Sequence, residues 1–143
     1  MVHVQRTFVV DRPRDAVVSY LADFANAEKW DPGTVSCDPL TPGPVKVGSQ
    51  WRNVSSLAGS ETELTYTLTT LDADRVVLTG VNKTATSVDD IRVGDRGDTS
   101  EVTYEATVTF NGVAKLASPF MQVLFLYLGV KTEKQMKDAI SRI

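Results

Sequence analysis

The sequence predicts an α+β fold: a curved antiparallel sheet of about six to seven strands wrapped around one long C-terminal helix, with two short helices after the first strand. Three observations predict it. Val102, Tyr104, Ala106, Val108 and Phe110 alternate strictly with Glu101, Thr103, Glu105, Thr107 and Thr109, which gives that strand one dry and one wet face. From Gly48 to Phe110 the chain is a succession of strand-like runs separated by short polar or glycine-containing breaks. An Asn111-Gly112 turn then leads directly into a long helical segment, the nearest element able to cover the dry face.

Val2 to Val10 alternates loosely and reads as the first strand, ending at Asp11-Arg12-Pro13. Asp11 is a candidate N-cap and Pro13 suits a first helical turn, so Pro13 to Ala22 is predicted as a short helix carrying Val17, Val18 and Leu21 inward. A second short helix is expected over Phe24 to Trp30, stopping before Asp31-Pro32-Gly33. Pro39, Pro42 and Pro44 divide Thr34 to Val47 into a strand and an irregular loop. Strands follow over Ser49 to Leu57, Glu61 to Leu71, Arg75 to Val81, Ser87 to Val93 and Thr99 to Phe110. The breaks between them, at Ala58-Gly59-Ser60, Asp72-Ala73-Asp74, Asn82 to Thr86 and Gly94 to Asp98, are turn-like. Pro119 marks the start of the helix proper, and Gly112 to Ser118 is a less regular lead-in. Sheets twist with a fixed hand, so consecutive strands packed on one helix curl around it, and the two early helices can plug one end.

A chain of 143 residues with 42% hydrophobic and 23% charged residues is expected to form one domain spanning residues 1–143, without a need for staples. No repeat or low-complexity linker interrupts it. Fifteen basic residues scattered among 18 acidic ones leave a net charge of −3, which argues against nucleic acid as a partner. One cysteine, Cys37, and one histidine, His3, cannot build a disulfide or a His-rich metal site, so no metal or other cofactor is expected. The N-terminus lacks the continuous apolar core of a signal peptide, and a cytoplasmic protein is expected. No Ser, His and Asp pattern resembles a nucleophile elbow, and the spaced glycines do not match a phosphate-binding loop.

The order of elements, together with particular residues, resembles the helix-grip (SRPBCC) superfamily, which includes the START domains, the Bet v 1-like plant allergens and the bacterial polyketide cyclase/dehydrase-like proteins. Phe8-Val9-Val10-Asp11-Arg12-Pro13-Arg14-Asp15-Ala16-Val17, followed by Tyr20-Leu21-Ala22-Asp23, resembles the family's opening strand, proline and first helix. Lys29-Trp30-Asp31-Pro32-Gly33 is similar to its tryptophan-containing exit from the second helix, and Val47-Gly48-Ser49-Gln50-Trp51 to the glycine that starts the third strand. Asp98 to Tyr104 and Asn111-Gly112 resemble its last strand and the turn into the long helix. The resemblance implies a bacterial helix-grip protein with a hollow between sheet and helix. Fold analogy alone names no reaction.

Leu64, Tyr66 and Leu68 share one parity, as do Tyr104, Ala106 and Val108, so both tyrosines should point inward. Their phenols either face a ligand, where they could bond a carbonyl or protonate an enolate, or are core groups bonded to protein or water. Trp51 and Arg52 are adjacent in a strand, so only one can face the hollow, and Trp51 inward is preferred because it avoids desolvating a cation. Arg52 inward would instead demand an anionic or carbonyl-bearing ligand, and the resemblance implies that polyketide cyclases pair an inward arginine with a tyrosine. Trp30 either gates the cavity mouth or plugs the end of the sheet. Asp89 and Asp90 cannot act as a pair, since neighbouring strand residues point to opposite faces.

From Lys131 onward the long helix is amphipathic, but from Phe120 to Val130 only Gln122 clearly interrupts an apolar run. That run falls short of the roughly 20 residues needed to span a bilayer, so no stable membrane insertion is expected. Its second face requires cover from the Pro39 to Val47 loop, from a homodimer contact, or from a membrane or carrier at an apolar portal; loop burial or dimerisation is favoured. Gly129 either permits a close approach or is a tolerated weak point.

The leading expectation is a protein that binds a hydrophobic lipid, polyketide or aromatic metabolite. The candidate lining is Trp30, Trp51, Tyr66, Tyr104, Phe120, Leu124 and Leu128, with Arg52 as a possible polar cavity group. One alternative is a polyketide cyclase or dehydratase. Another is a regulatory or interaction module, such as one partner of a toxin–antitoxin pair, with the apolar helix run as its contact surface.

Overall fold

The computed structural model describes residues 1–57 and 59–143. β1 (Val2–Val10) buries Val2, Val4, Phe8 and Val10 on one parity, as its alternation predicts. α1 (Arg14–Ala22) buries Val17, Val18, Leu21 and Ala22. Its N-cap is an extended Pro13 with no side-chain cap, so Asp11 does not take the capping role expected of it. Arg12 and an extended Pro13 separate Asp11 from the first helical amides, and its carboxylate instead lies 3.5 Å from the Arg12 guanidinium. A 3₁₀ turn, Phe24–Asn26, capped by the Asp23 carboxylate, runs into α2 (Ala27–Trp30).

The remaining elements are β2 (Thr34–Pro39), β3 (Gln50–Leu57), β4 (Ser60–Asp72), β5 (Arg75–Val81), β6 (Ala85–Arg96), β7 (Thr99–Phe110), a 3₁₀ lead-in (Gly112–Ala117) and α3 (Ser118–Ile140). Of the turn expected at Ala58-Gly59-Ser60, Ala58 lies outside the described residues. The strands form one seven-stranded antiparallel sheet in the order β1-β7-β6-β5-β4-β3-β2. Irregular pairing between Thr34 and Ser36 and between Leu68 and Thr70 bends the sheet at two points. The second shift restores an inward direction to Leu71, three residues after inward Leu68.

The long helix does not lie flat on the middle of the sheet; it is pressed against β1. A Cβ on Gly129 would stand only 2.6 Å from Cγ2 of Val4, so this glycine lets helix and strand approach. The His3 amide donates to Gln122 Oε1 at 2.9 Å and Gln122 Nε2 donates to the His3 carbonyl at 2.8 Å. Arg6 Nε lies 3.0 Å from Glu133 Oε1. At the helix C-terminus, Arg12 donates to the carbonyls of Ser141 and Ile143, a cation where the helix dipole is negative. Met136, Ala139 and Ile140 pack into the main core, whereas Val2, Ala85 and Val108 gather with Phe110, Met121 and Phe125 in a separate small cluster. This is the helix-grip arrangement, and its apolar interior is in two parts.

Candidate functional site

A cavity of about 420 Å³ lies between the two clusters, bounded by β1, β4, β6 and β7 on one side and by α3 on the other. Its walls are mostly apolar: Val4, Leu64, Ala106 and Val108 from the sheet face Met121, Phe125 and Leu128 from the helix. An engineered cavity of about 150 Å³ already holds benzene, so the space admits an aromatic or short aliphatic molecule. Ala106 helps to keep it open, being the smallest of the β7 residues that line it, beside Tyr104, Val108 and Phe110.

The expected site residues divide. Tyr66, Tyr104, Phe120 and Leu128 line the cavity. Trp30, Trp51 and Leu124 stand outside its wall, and Arg52 is on the other face of the sheet. Trp51 is inward as preferred, but it and Trp30 belong to a packed aromatic block behind the tyrosines. Phe24 meets Trp30, Trp51 and Tyr66 with ring centroids 6.0, 6.2 and 4.5 Å apart, and Trp30 meets Tyr104 edge-on at 5.9 Å. Trp30 therefore plugs the end of the sheet and sits behind the cavity floor. Arg52 lies on the exposed face, paired with Glu63 at 2.6 Å, and no arginine enters the cavity among the described residues. Leu124, between Phe120 and Leu128 on the helix, is outside the lining. The lining stripe follows the true period through Met121, Phe125, Leu128 and Thr132.

Two carboxylates in the cavity wall, Asp31 and Asp89, are not among the expected lining residues. Asp89 occupies an inward position of β6, on the parity of Ala85, Ile91 and Val93, and is almost fully buried. That parity was the available signal. Asp90, its neighbour, faces outward to Arg75 at 2.8 Å. Tyr104 donates its phenolic proton to Asp89 Oδ1 at 3.1 Å, and among the described residues nothing donates to Oδ2. Burial, followed by the nearby charge of Asp31, pushes the Asp89 carboxyl up to about 7, while the Tyr104 hydrogen bond acts in the opposite direction.

Asp31, in the chain leaving α2, accepts from the Gly33 amide at 3.2 Å and from the Thr34 hydroxyl at 2.7 Å. Asn53 in turn donates to that hydroxyl and Ser55 to Asn53, so a short polar chain fixes the Asp31 rotamer. Burial raises the Asp31 carboxyl as well, opposed by those two hydrogen bonds. The Tyr66 phenol, beside Ser87, rests on Gly80, where a Cβ would meet its ring at 2.6 Å. Burial and then the Asp89 charge hold both phenols well above the ordinary tyrosine value. They serve as neutral donors or acceptors.

Residues 1–126 match the family described as polyketide cyclase / dehydrase and lipid transport. The chain belongs to this family. Several solved structures share the fold of this polyketide cyclase/dehydrase and lipid-transport member along almost its full length. The Zhui aromatase/cyclase from a Streptomyces species is 15% identical, with 98% of this chain and 93% of that one covered and a TM-score of 0.81. A START superfamily protein from Mycobacterium smegmatis is 13% identical, with 98% and 97% covered and a TM-score of 0.80. A major latex-like protein from Panax ginseng is 14% identical, with 95% of each chain covered and a TM-score of 0.72. No curated protein sequence matches the chain. At these identities the likeness is one of fold.

The apolar run of α3 keeps an uncovered face. Val113, Leu116, Phe120, Val123, Tyr127 and Val130, spaced alternately three and four residues apart, are all more than half exposed. Cover by the Pro39 to Val47 loop, one of the expected solutions, does not occur: Val45 lies instead beside α1 and the β4–β5 turn. The short prolyl loop returns β2 to β3 at the sheet edge opposite β1, so it cannot reach the helix. By length and composition the helical stretch Gly112–Ile140 is sufficient to cross a membrane, with a window of mean hydropathy 1.5, because Val113 to Ala117 extend the apolar run counted in the sequence. Its Gly129, Thr132 and Met136 are nevertheless buried against the protein, and the Gln122 and Glu133 side chains are bonded to β1.

Proposed function

We propose that this protein binds and sequesters a hydrophobic small molecule between sheet and helix, as a cytoplasmic carrier or sensor. The observation that supports this reading is the apolar cavity of about 420 Å³ with a small polar group at one side, an arrangement suited to burying a ligand body and orienting one end. Tyr66, Tyr104, Phe120 and Leu128 contact the ligand; Trp30 and Trp51 support the two phenols from behind. Naphthylmethanol, followed by its own fluorescence, is the test. The expected result is saturable binding in the micromolar range or tighter, weakened at least about tenfold by Ala106→Trp, which fills the cavity from β7. Absence of saturable binding by the folded wild-type protein would overturn it.

One observation supports an enzymatic second reading. Asp89 is a carboxyl that titrates near neutrality beside a phenol, which suits it to move a proton at a carbon next to a carbonyl. With Arg52 outside the cavity, such chemistry would differ from the arginine–tyrosine arrangement implied by the resemblance.

The exposed stripe on α3 supports a homodimer, two copies packing their apolar seams together. Phe125 lines the cavity, whereas Val123 is exposed on the stripe and is the informative position. Val123→Glu is expected to convert a dimer to a monomer in size-exclusion chromatography. A wild-type monomer would remove the homodimer.

A further inference from the structure

The cavity wall contains two carboxylates, two phenols and, among the described residues, no lysine, arginine or histidine. We infer that the ligand is a hydrophobic molecule carrying a basic nitrogen, held by the carboxylates of Asp89 and Asp31 with the apolar body against α3. This rests on the reading of the cavity as a ligand site, and it specifies the class of ligand.

Hydrogen-bonding capacity points the same way as charge. Asp89 Oδ2 accepts from nothing among the described residues, although the side chain is 6% exposed. Each Asp31 oxygen takes one bond and has a free lone pair. The one donor in contact with Asp89, the Tyr104 hydroxyl, is already used. A floor rich in acceptors matches an ammonium group, which has three donors and no acceptor. A carboxylate ligand, such as a fatty acid or the acid end of a polyketide, would add a like charge in a low-dielectric space where no side-chain cation answers it.

The groups facing Asp89 reinforce the choice. Asp31 comes from the end of α2, Tyr66 from β4 and Tyr104 from β7, while α3 and β1 present Leu128, Thr132 and Val4. All four titratable groups are neutral or negative in the working range. A bound cation would therefore favour the ionised form of Asp89, and amine affinity should rise as pH climbs through the carboxyl's midpoint.

The experiment compares naphthylmethylamine, naphthylmethanol and naphthylacetate on the intact protein, three probes of similar shape that differ in charge. At about pH 8 the amine is expected to bind at least about tenfold more tightly than the alcohol, and the acid most weakly. That amine-over-alcohol ratio should shrink at about pH 5, and Asp89→Asn should lower it at about pH 8 to roughly its pH 5 value, the remainder coming from Asp31. An alcohol bound as tightly as the amine at the higher pH, or a preference undiminished by Asp89→Asn, overturns the inference while leaving the cavity reading intact. Failure of all three probes to bind overturns both. The pH dependence of the unmodified protein decides the matter independently of the variant.

Discussion

Asp89→Asn is expected to raise the stability of the ligand-free protein above neutral pH and to leave it nearly unchanged at about pH 4. The native carboxyl titrates at about 7, against an ordinary value of 3.8. Between those two values the folded state holds a proton that the unfolded state has released, so the native protein loses stability as pH rises through that window. Above it the loss is complete, on the order of 4 kcal/mol for a displacement of about three units. Asparagine has no charge to bury and still accepts the Tyr104 hydroxyl, so the variant lacks this slope. For a domain of this size the difference amounts to roughly 10 °C in Tm at about pH 8. Thermal melts of both proteins across the pH range check it, and parallel curves would show that Asp89 is not buried as a neutral acid. Tyr104→Phe should act the other way, removing the hydrogen bond that lowers the Asp89 carboxyl and moving the slope to higher pH.

Trp51→Ala should destabilise the protein by about 3–5 kcal/mol, the usual range for removing a large buried aromatic. Trp51 is 2% exposed, lies opposite Tyr66 in the β3–β4 register and packs edge-on against Phe24. The void would open beside Phe24 and behind Tyr66, at the end of the core that α2 closes. Urea unfolding is expected to show a lower midpoint with an unchanged slope, and Trp51→Phe should recover part of the loss. A cost below about 1 kcal/mol would mean that the aromatic block is not the packed end of the core. Because the tryptophan does not touch the cavity, weaker probe binding in the variant would report a loosened Tyr66.

The strands were legible because burial on one face imposes a period of two that turn residues interrupt. β1, β5 and β7 keep the boundaries read from alternation, while β6 extends beyond them, through Arg96, since hairpin pairing can continue past the last apolar residue. Parity also placed Tyr66 and Tyr104 inward, and the cost of desolvating a cation favoured Trp51 over Arg52. It could equally have revealed Asp89, which shares a face with Ile91 and Val93, had an acidic side chain among apolar positions been read as buried. On α3, apolar residues surround the helix, so composition could not say which stripe meets the cavity. Phe120 and Leu128 reach it, Leu124 does not, and Met121 and Phe125 enter only once the helix rotation is known.

Local patterns by themselves determined that a bent antiparallel layer is crossed by a terminal helix, and which side of each strand is dry, because the preferences of backbone and turn residues act between near neighbours in the chain. Depth was decided only by the tertiary structure. Whether an inward side chain ends in packed aromatics, as Trp30 and Trp51 do, or at open space, as Asp89 and Tyr104 do, depends on how far α3 stands from the sheet. That separation follows from contacts between distant parts of the chain: Gly129 against Val4 and Glu133 on Arg6 hold the helix to one edge strand and leave the cavity between it and β4, β6 and β7.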